Sequence, residues 1–96
     1  MSLRDTVLVT HRTRIKSLAA KRKAESIALI GSVARGDDTD DSDCDFLVSF
    51  VKGASLFDLA GLQQDLADLL QRDTDVVSRG ALTERHQRML EDAIQL

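Results

Sequence analysis

Two aspartates, Asp43 and Asp45, stand two positions apart in the run Ser42-Asp43-Cys44-Asp45-Phe46-Leu47-Val48. The run reads as a strand. Side chains alternate faces along a strand, so both carboxylates point the same way. Their Cα atoms would lie about 6–7 Å apart. Carboxylates at that spacing can share metals held about 3.5–4 Å apart, the two-metal arrangement of phosphate chemistry. Cys44, Phe46, Val48 and Phe50 would then face the opposite way, against covering helices. One face is left for chemistry and the other for packing, and Cys44 is expected to be buried and inert.

A second set of residues precedes the pair. Ile27-Ala28-Leu29-Ile30 reads as a buried strand, and Gly31-Ser32-Val33-Ala34-Arg35-Gly36 follows it. Gly31 allows a ligand to approach bare backbone. The start of the following short helix offers N–H groups to an anion. Ser32 adds a hydroxyl and is expected at or near the N-cap. Arg35 could reach a phosphate or pair with a carboxylate of the site. Turn and carboxylates together suggest a place for phosphates and a divalent metal.

Other phosphate and metal motifs do not fit. Gly31 and Gly36 have the outer spacing of a P-loop, but Asp37-Asp38 stand where Lys-Ser/Thr is required. Asp41, Asp43 and Asp45 imitate the start of an EF-hand, yet Phe46 replaces its glycine and Lys52 its bidentate glutamate. Asp37, Asp38, Asp40 and Asp41 are read as a solvated loop.

The elements that must position these groups follow from periodicity. Leu3 to about Arg22 is predicted helical, opened by a Ser2–Asp5 capping box. Its apolar stripe is Val7, Leu8, Ile15, Leu18 and Ala19. His11 falls on that stripe and is read as a packed or interface histidine rather than a ligand. Strands are predicted over 26–30, 43–51 and 75–77. Ser55 and Asp58 form a second capping box, opening a helix striped by Leu59, Leu62, Leu66, Leu69 and Leu70 that runs to about Arg72. Gly80 breaks the chain. Thr83 is the expected cap of a last helix striped by Met89, Leu90, Ala93 and Ile94. The order predicts an α/β (α+β) domain, a small mixed sheet with helices on one face.

The whole chain sets bounds. At 96 residues it is read as one domain, 1–96, with room for a site but little for a separate acceptor-binding domain. A net charge of -3 argues against a general nucleic-acid coat. The basic residues of the first quarter are read as a solvated helix face. A lone cysteine excludes an internal disulfide and fits a reducing, cytoplasmic setting. No apolar run is long enough to span a bilayer, and the N-terminus lacks a signal-peptide core.

Gly31-Ser32-x-Ala34-Arg35-Gly36, a gap of five residues, then Ser42-Asp43-x-Asp45-x-x-Val48 resembles the minimal nucleotidyltransferases of the DNA polymerase beta-like superfamily. The resemblance implies the nucleotidyltransferase fold, with ATP as substrate and Mg²⁺ at a two-metal site. It implies that Gly31 and Ser32, joined by Arg35 and Ser42, bind the nucleotide. Asp43 and Asp45 would hold the metals. The third carboxylate of the family maps onto Asp75, which would complete the metal site and help activate an acceptor hydroxyl. The resemblance further implies an antitoxin that adenylylates a HEPN-domain RNase toxin, the acceptor being a hydroxyl of that partner. Two alternatives stand beside it. One is a binding antitoxin without turnover. The other is a small-molecule transferase of the antibiotic-modifying kind, for which a second copy of the chain could supply the missing wall.

Overall fold

The protein is described by a computed structural model covering residues 2–82 and 84–96. Thr83, the expected cap of the last helix, lies outside the described residues. A short helix α1 (Leu3–Asp5) leads through a π-helical stretch, Thr6–Thr10, into α2 (Arg12–Lys21). The single long helix expected from the stripe is thus divided. Ser2 caps its start, its hydroxyl accepting from Asp5 N–H at 3.1 Å. Val7, Ile15 and Ala19 are buried as the stripe requires, and His11 is half-buried at the junction.

Strand β1 (Ala24–Ile30) follows, then α3 (Gly31–Arg35), β2 (Cys44–Phe50), α4 (Leu56–Leu70) and β3 (Thr74–Ser78). A 3-10 turn, Arg79–Ala81, leads to α5 (Glu84–Leu90) and a short strand β4 (Ile94–Gln95). The sheet order is β3-β2-β1-β4. β1 runs antiparallel to both β2 and β4, and β2 runs parallel to β3. A parallel pair needs a crossover, and α4 provides it. Its capping box is formed: Ser55 N–H donates to Asp58 Oδ2 at 2.9 Å and Phe57 N–H to Ser55 Oγ at 3.2 Å.

The two long helices cover one face. Ile15 and Ala19 of α2 and Leu62 and Leu66 of α4 pack with Ile27, Leu29, Phe46, Val48 and Val76 of the sheet. On the other face Ala28, Ile30, Leu47 and Val77 are buried beneath a smaller cover of Leu82, Met89 and Leu90. The edge strand β3 is guarded, since Val76 N–H donates to Gln63 Oε1 of α4 at 3.0 Å.

The chain end departs from the periodic reading, which places Ala93 and Ile94 on the last helix. The helix stops at Leu90, and Ile94–Gln95 instead adds a fourth strand to the open edge of β1. Leu96 N–H and the Gln95 side chain both donate to Ile27 O at 3.0 Å. An apolar pair such as Ala93-Ile94 satisfies either period, and the unpaired backbone of β1 decides for the strand. Among the described residues no helix is long and apolar enough to cross a membrane.

Candidate active site

The turn after β1 is made by Gly31 at φ +76°, in the left-handed region that favours glycine. The chain reverses there at once. Helix α3 therefore starts at Gly31 with Ile30 as its extended N-cap, and Ser32, expected as the cap, lies within the first turn. Gly36, also left-handed at φ +79°, ends the helix. The far end of α3 is held by the N-terminal helix, Arg4 Nε donating to Ala34 O at 3.0 Å.

Gly31 is packed closely. A Cβ built on it would stand 2.9 Å from Asp45 Oδ2 and 2.7 Å from Met89 Cε. The absent side chain is what lets this backbone lie against the Asp45 carboxylate, with Met89 of α5 over both.

Sheet register assembles the carboxylates. Asp45 pairs with Ile30 on one side and with Asp75 on the other. Paired residues of neighbouring strands project to the same face, and their Cα atoms lie about 4.8 Å apart. The structure thus sets Asp75 beside Asp45, which itself lies against the glycine turn. Asp43 comes one residue before β2 begins and is exposed, as is Asp75, while Asp45 is half-buried. Alternation gives Asp43 the same face as Asp45.

The remaining sequence candidates have partners of their own. Arg35 Nε donates to Asp37 Oδ2 at 3.1 Å, and its Nη1 lies 3.6 Å from Asp92 Oδ2. The hydrogen bond to Asp37 holds this guanidinium firmly in its charged form. The hydroxyl of Ser42 accepts from Thr39 N–H at 2.9 Å and lies 3.2 Å from Thr39 Oγ1, closing the turn of the acidic loop. Cys44 is buried, as expected. Burial, and then the charge of Asp45, pushes its thiol up to about 12.

Two neighbours of the site carry no motif in the sequence. Arg72 lies between α4 and β3, and its Nη1 donates to Thr39 O at 3.2 Å and Ser42 O at 2.8 Å. It lines a cleft of about 540 Å³ with Asp40, Asp41, Asp43, Asp68 and Asp73. Met89 is legible as an apolar helix residue, but its place over Gly31 depends on the path of the chain end.

Among the described residues no three carboxylate, thiol or imidazole groups gather into a metal-holding cluster. Neighbouring carboxylates are nonetheless the donors a hard cation prefers. Mg²⁺ commonly takes one or two from the protein and completes its shell with phosphate oxygens and water. The donor set fits a cation that arrives with a nucleotide.

Residues 10–96 match the nucleotidyltransferase domain family. The chain is 37% identical over 71 residues to MJ0126 of Methanocaldococcus jannaschii, named as a candidate protein adenylyltransferase; the match covers 74% of this chain and 72% of that protein. A solved structure described as a candidate minimal nucleotidyltransferase superposes with a TM-score of 0.83 at 39% identity, covering 100% of this chain and 97% of its own. A toxin–antitoxin crystal structure with AMP-PNP superposes with a TM-score of 0.72 at 29% identity, covering 86% of this chain and 69% of its own.

Proposed function

The chain belongs to the nucleotidyltransferase domain family, and from that premise we propose that it moves AMP from ATP to a hydroxyl of a protein partner, with Mg²⁺ at the site. The observation that carries this reading is the meeting of Gly31, Asp45 and Asp75, where a bare turn lies on one carboxylate and a second stands beside it in register. Such a place collects negative charge that needs a cation, and a triphosphate reaching the turn would have to displace the flexible tip of Met89, which now lies against Gly31. The relative named as a candidate protein adenylyltransferase and the neighbour holding AMP-PNP support the same direction.

In this reading Gly31 and Ser32 bind the triphosphate. Arg35 and Ser42 join them by exchanging their present partners, Asp37, Asp92 and Thr39, for phosphate. Asp43, Asp45 and Asp75 would hold Mg²⁺, which when bound would supply charge neutralisation at the α-phosphate and lower the acceptor's pKa. The acceptor oxygen bonds to the α-phosphorus, the α–β phosphate bond breaks, pyrophosphate leaves, and the hydroxyl proton passes toward Asp75. Positioning and electrostatics do most of the work in such a transfer.

The partner we infer is a HEPN-type toxin. The toxin–antitoxin neighbour supports a toxin as the partner. These 96 residues contain no tyrosine, so a tyrosyl acceptor lies outside them. The decisive experiment is transfer of labelled AMP from ATP to a co-expressed toxin, comparing wild type with Asp75→Asn. Wild type is expected to label the partner. Asp75→Asn should keep its fold and much of its ATP binding while losing most turnover, because it removes an interaction made mainly in the transition state. Equal labelling by both removes Asp75 from the catalytic set. Tight partner binding with no labelling by wild type replaces the enzyme with a binding antitoxin.

A further inference from the structure

We propose that Arg72 is a positioning residue for Asp43, and that it sets the affinity of the site for Mg²⁺. The inference rests on the metal-holding role given to Asp43 above.

Asp43 and Asp45 are held in different ways. Asp45 lies within β2 and is paired on both sides, with Ile30 and with Asp75. Asp43 precedes the first residue of β2, so the sheet ladder does not reach it. Its backbone is pinned by its two neighbours instead. On one side the Ser42 carbonyl accepts from Arg72 Nη1 at 2.8 Å. On the other, Cys44 N–H donates to Asp73 O at 3.0 Å. Residues 72 and 73, where α4 passes into β3, thus grip both flanks of Asp43.

The grip extends through the loop. Ser42 N–H donates to Thr39 O at 3.0 Å, closing a turn, and Ser42 Oγ accepts from Thr39 N–H. The carbonyls of Thr39 and Ser42 then converge on the same guanidinium nitrogen. That cation lines the same cleft as Asp40, Asp41 and Asp43, whose like charges repel one another. One residue therefore both fixes the geometry of the loop and offsets its charge. Lysine keeps the charge but ends one bond short of the two carbonyls, which separates these roles.

The test is a Mg²⁺ titration at saturating ATP, read as the rise in melting temperature, for wild type, Asp43→Asn, Arg72→Ala and Arg72→Lys. Arg72→Ala should need about 10-fold more Mg²⁺ for its half-maximal shift, the usual cost of losing a group that orients a ligand. Arg72→Lys should fall between it and wild type, and it carries the comparison if Arg72→Ala does not fold. Guanidinium ion at low-millimolar concentration, entering the open cleft beside residue 72, should move Arg72→Ala back toward wild type. Sodium at equal ionic strength should not. Amide exchange should quicken over residues 39–44 and stay unchanged in α2. An unaltered Mg²⁺ requirement in Arg72→Ala, full recovery by lysine, or exchange quickened evenly along the chain overturns the proposal alone. A wild type whose melting temperature ignores Mg²⁺ and ATP overturns the metal reading and the proposal with it.

Discussion

Gly31 shows how one missing side chain sets the terms for its neighbours. Its φ of +76° costs any L side chain about 1–2 kcal/mol. A methyl there would also press on Asp45 and Met89. Met89 can swing away, because its tip is flexible, whereas Asp45 is anchored in the sheet. Gly31→Ala is therefore expected to lower the melting temperature by roughly 5–10 °C for a domain of this size. It should also shrink the stabilisation by Mg²⁺ and ATP beyond that general loss, because Asp45 is displaced. Differential scanning calorimetry with and without both ligands measures the two effects. A variant that melts with wild type would mean that the turn is neither strained nor crowded.

Among the elements, α4 does more than cover the sheet. It supplies the crossover that makes β2 and β3 parallel, and its C-terminal end delivers Arg72 to the acidic loop. Its seating on α2 is shaped by Gly61. The Arg22 guanidinium lies where a Gly61 Cβ would be, with Cζ and Nη1 at 2.6 Å, on its way to Asp65 Oδ2 at 3.0 Å. Alanine favours a helix interior over glycine by about 1 kcal/mol. In wild type that gain should be cancelled, since the guanidinium must leave its place. In an Arg22→Ala background Gly61→Ala should recover the full gain. Urea unfolding of the four variants measures the coupling. Agreement of the two backgrounds within about 0.3 kcal/mol would show that Arg22 and Gly61 act independently.

For the molecule as a whole, the buried Cys44 ties folding to alkaline pH. Its thiol ordinarily ionises near 9.0 and is pushed up to about 12 in the fold, chiefly by burial. The folded chain keeps this proton where the unfolded chain releases it. The stability linked to Cys44 is therefore complete below pH 9 and is lost between pH 9 and 12, at roughly 1.4 kcal/mol per pH unit. Cys44→Ala should be less stable at neutral pH, because a cavity replaces the sulfur, and its stability should fall less steeply over that alkaline window. Parallel slopes for the two proteins would show that the thiol is not shielded as its burial requires. Native Cys44 should likewise resist alkylation at pH 9 and react once the chain is unfolded.

Local chemistry is legible in the order of the residues alone. The alternation of Asp43 and Asp45 with Cys44, Phe46 and Val48 encodes a strand, and β2 buries Cys44, Phe46 and Val48. The aspartate face, read as left for chemistry, is packed as well at Leu47, beneath the second apolar cover. The Ser2 and Ser55 capping patterns and the leucine stripe of α4 likewise act within a few residues, so they can be read in order along the chain. What spans the sheet cannot. The division of the first helix by a π-helical stretch and the turn of Ala93-Ile94 into a strand path depend on what the rest of the fold leaves uncovered. Register alone sets Asp75 beside Asp45, because pairing is chosen by the burial of whole faces and not by either aspartate. Met89 over Gly31 and Arg72 beneath the acidic loop come from contacts 58 and 30 positions apart in the chain. No local period records such distances, and only the closing of the core brings those residues together.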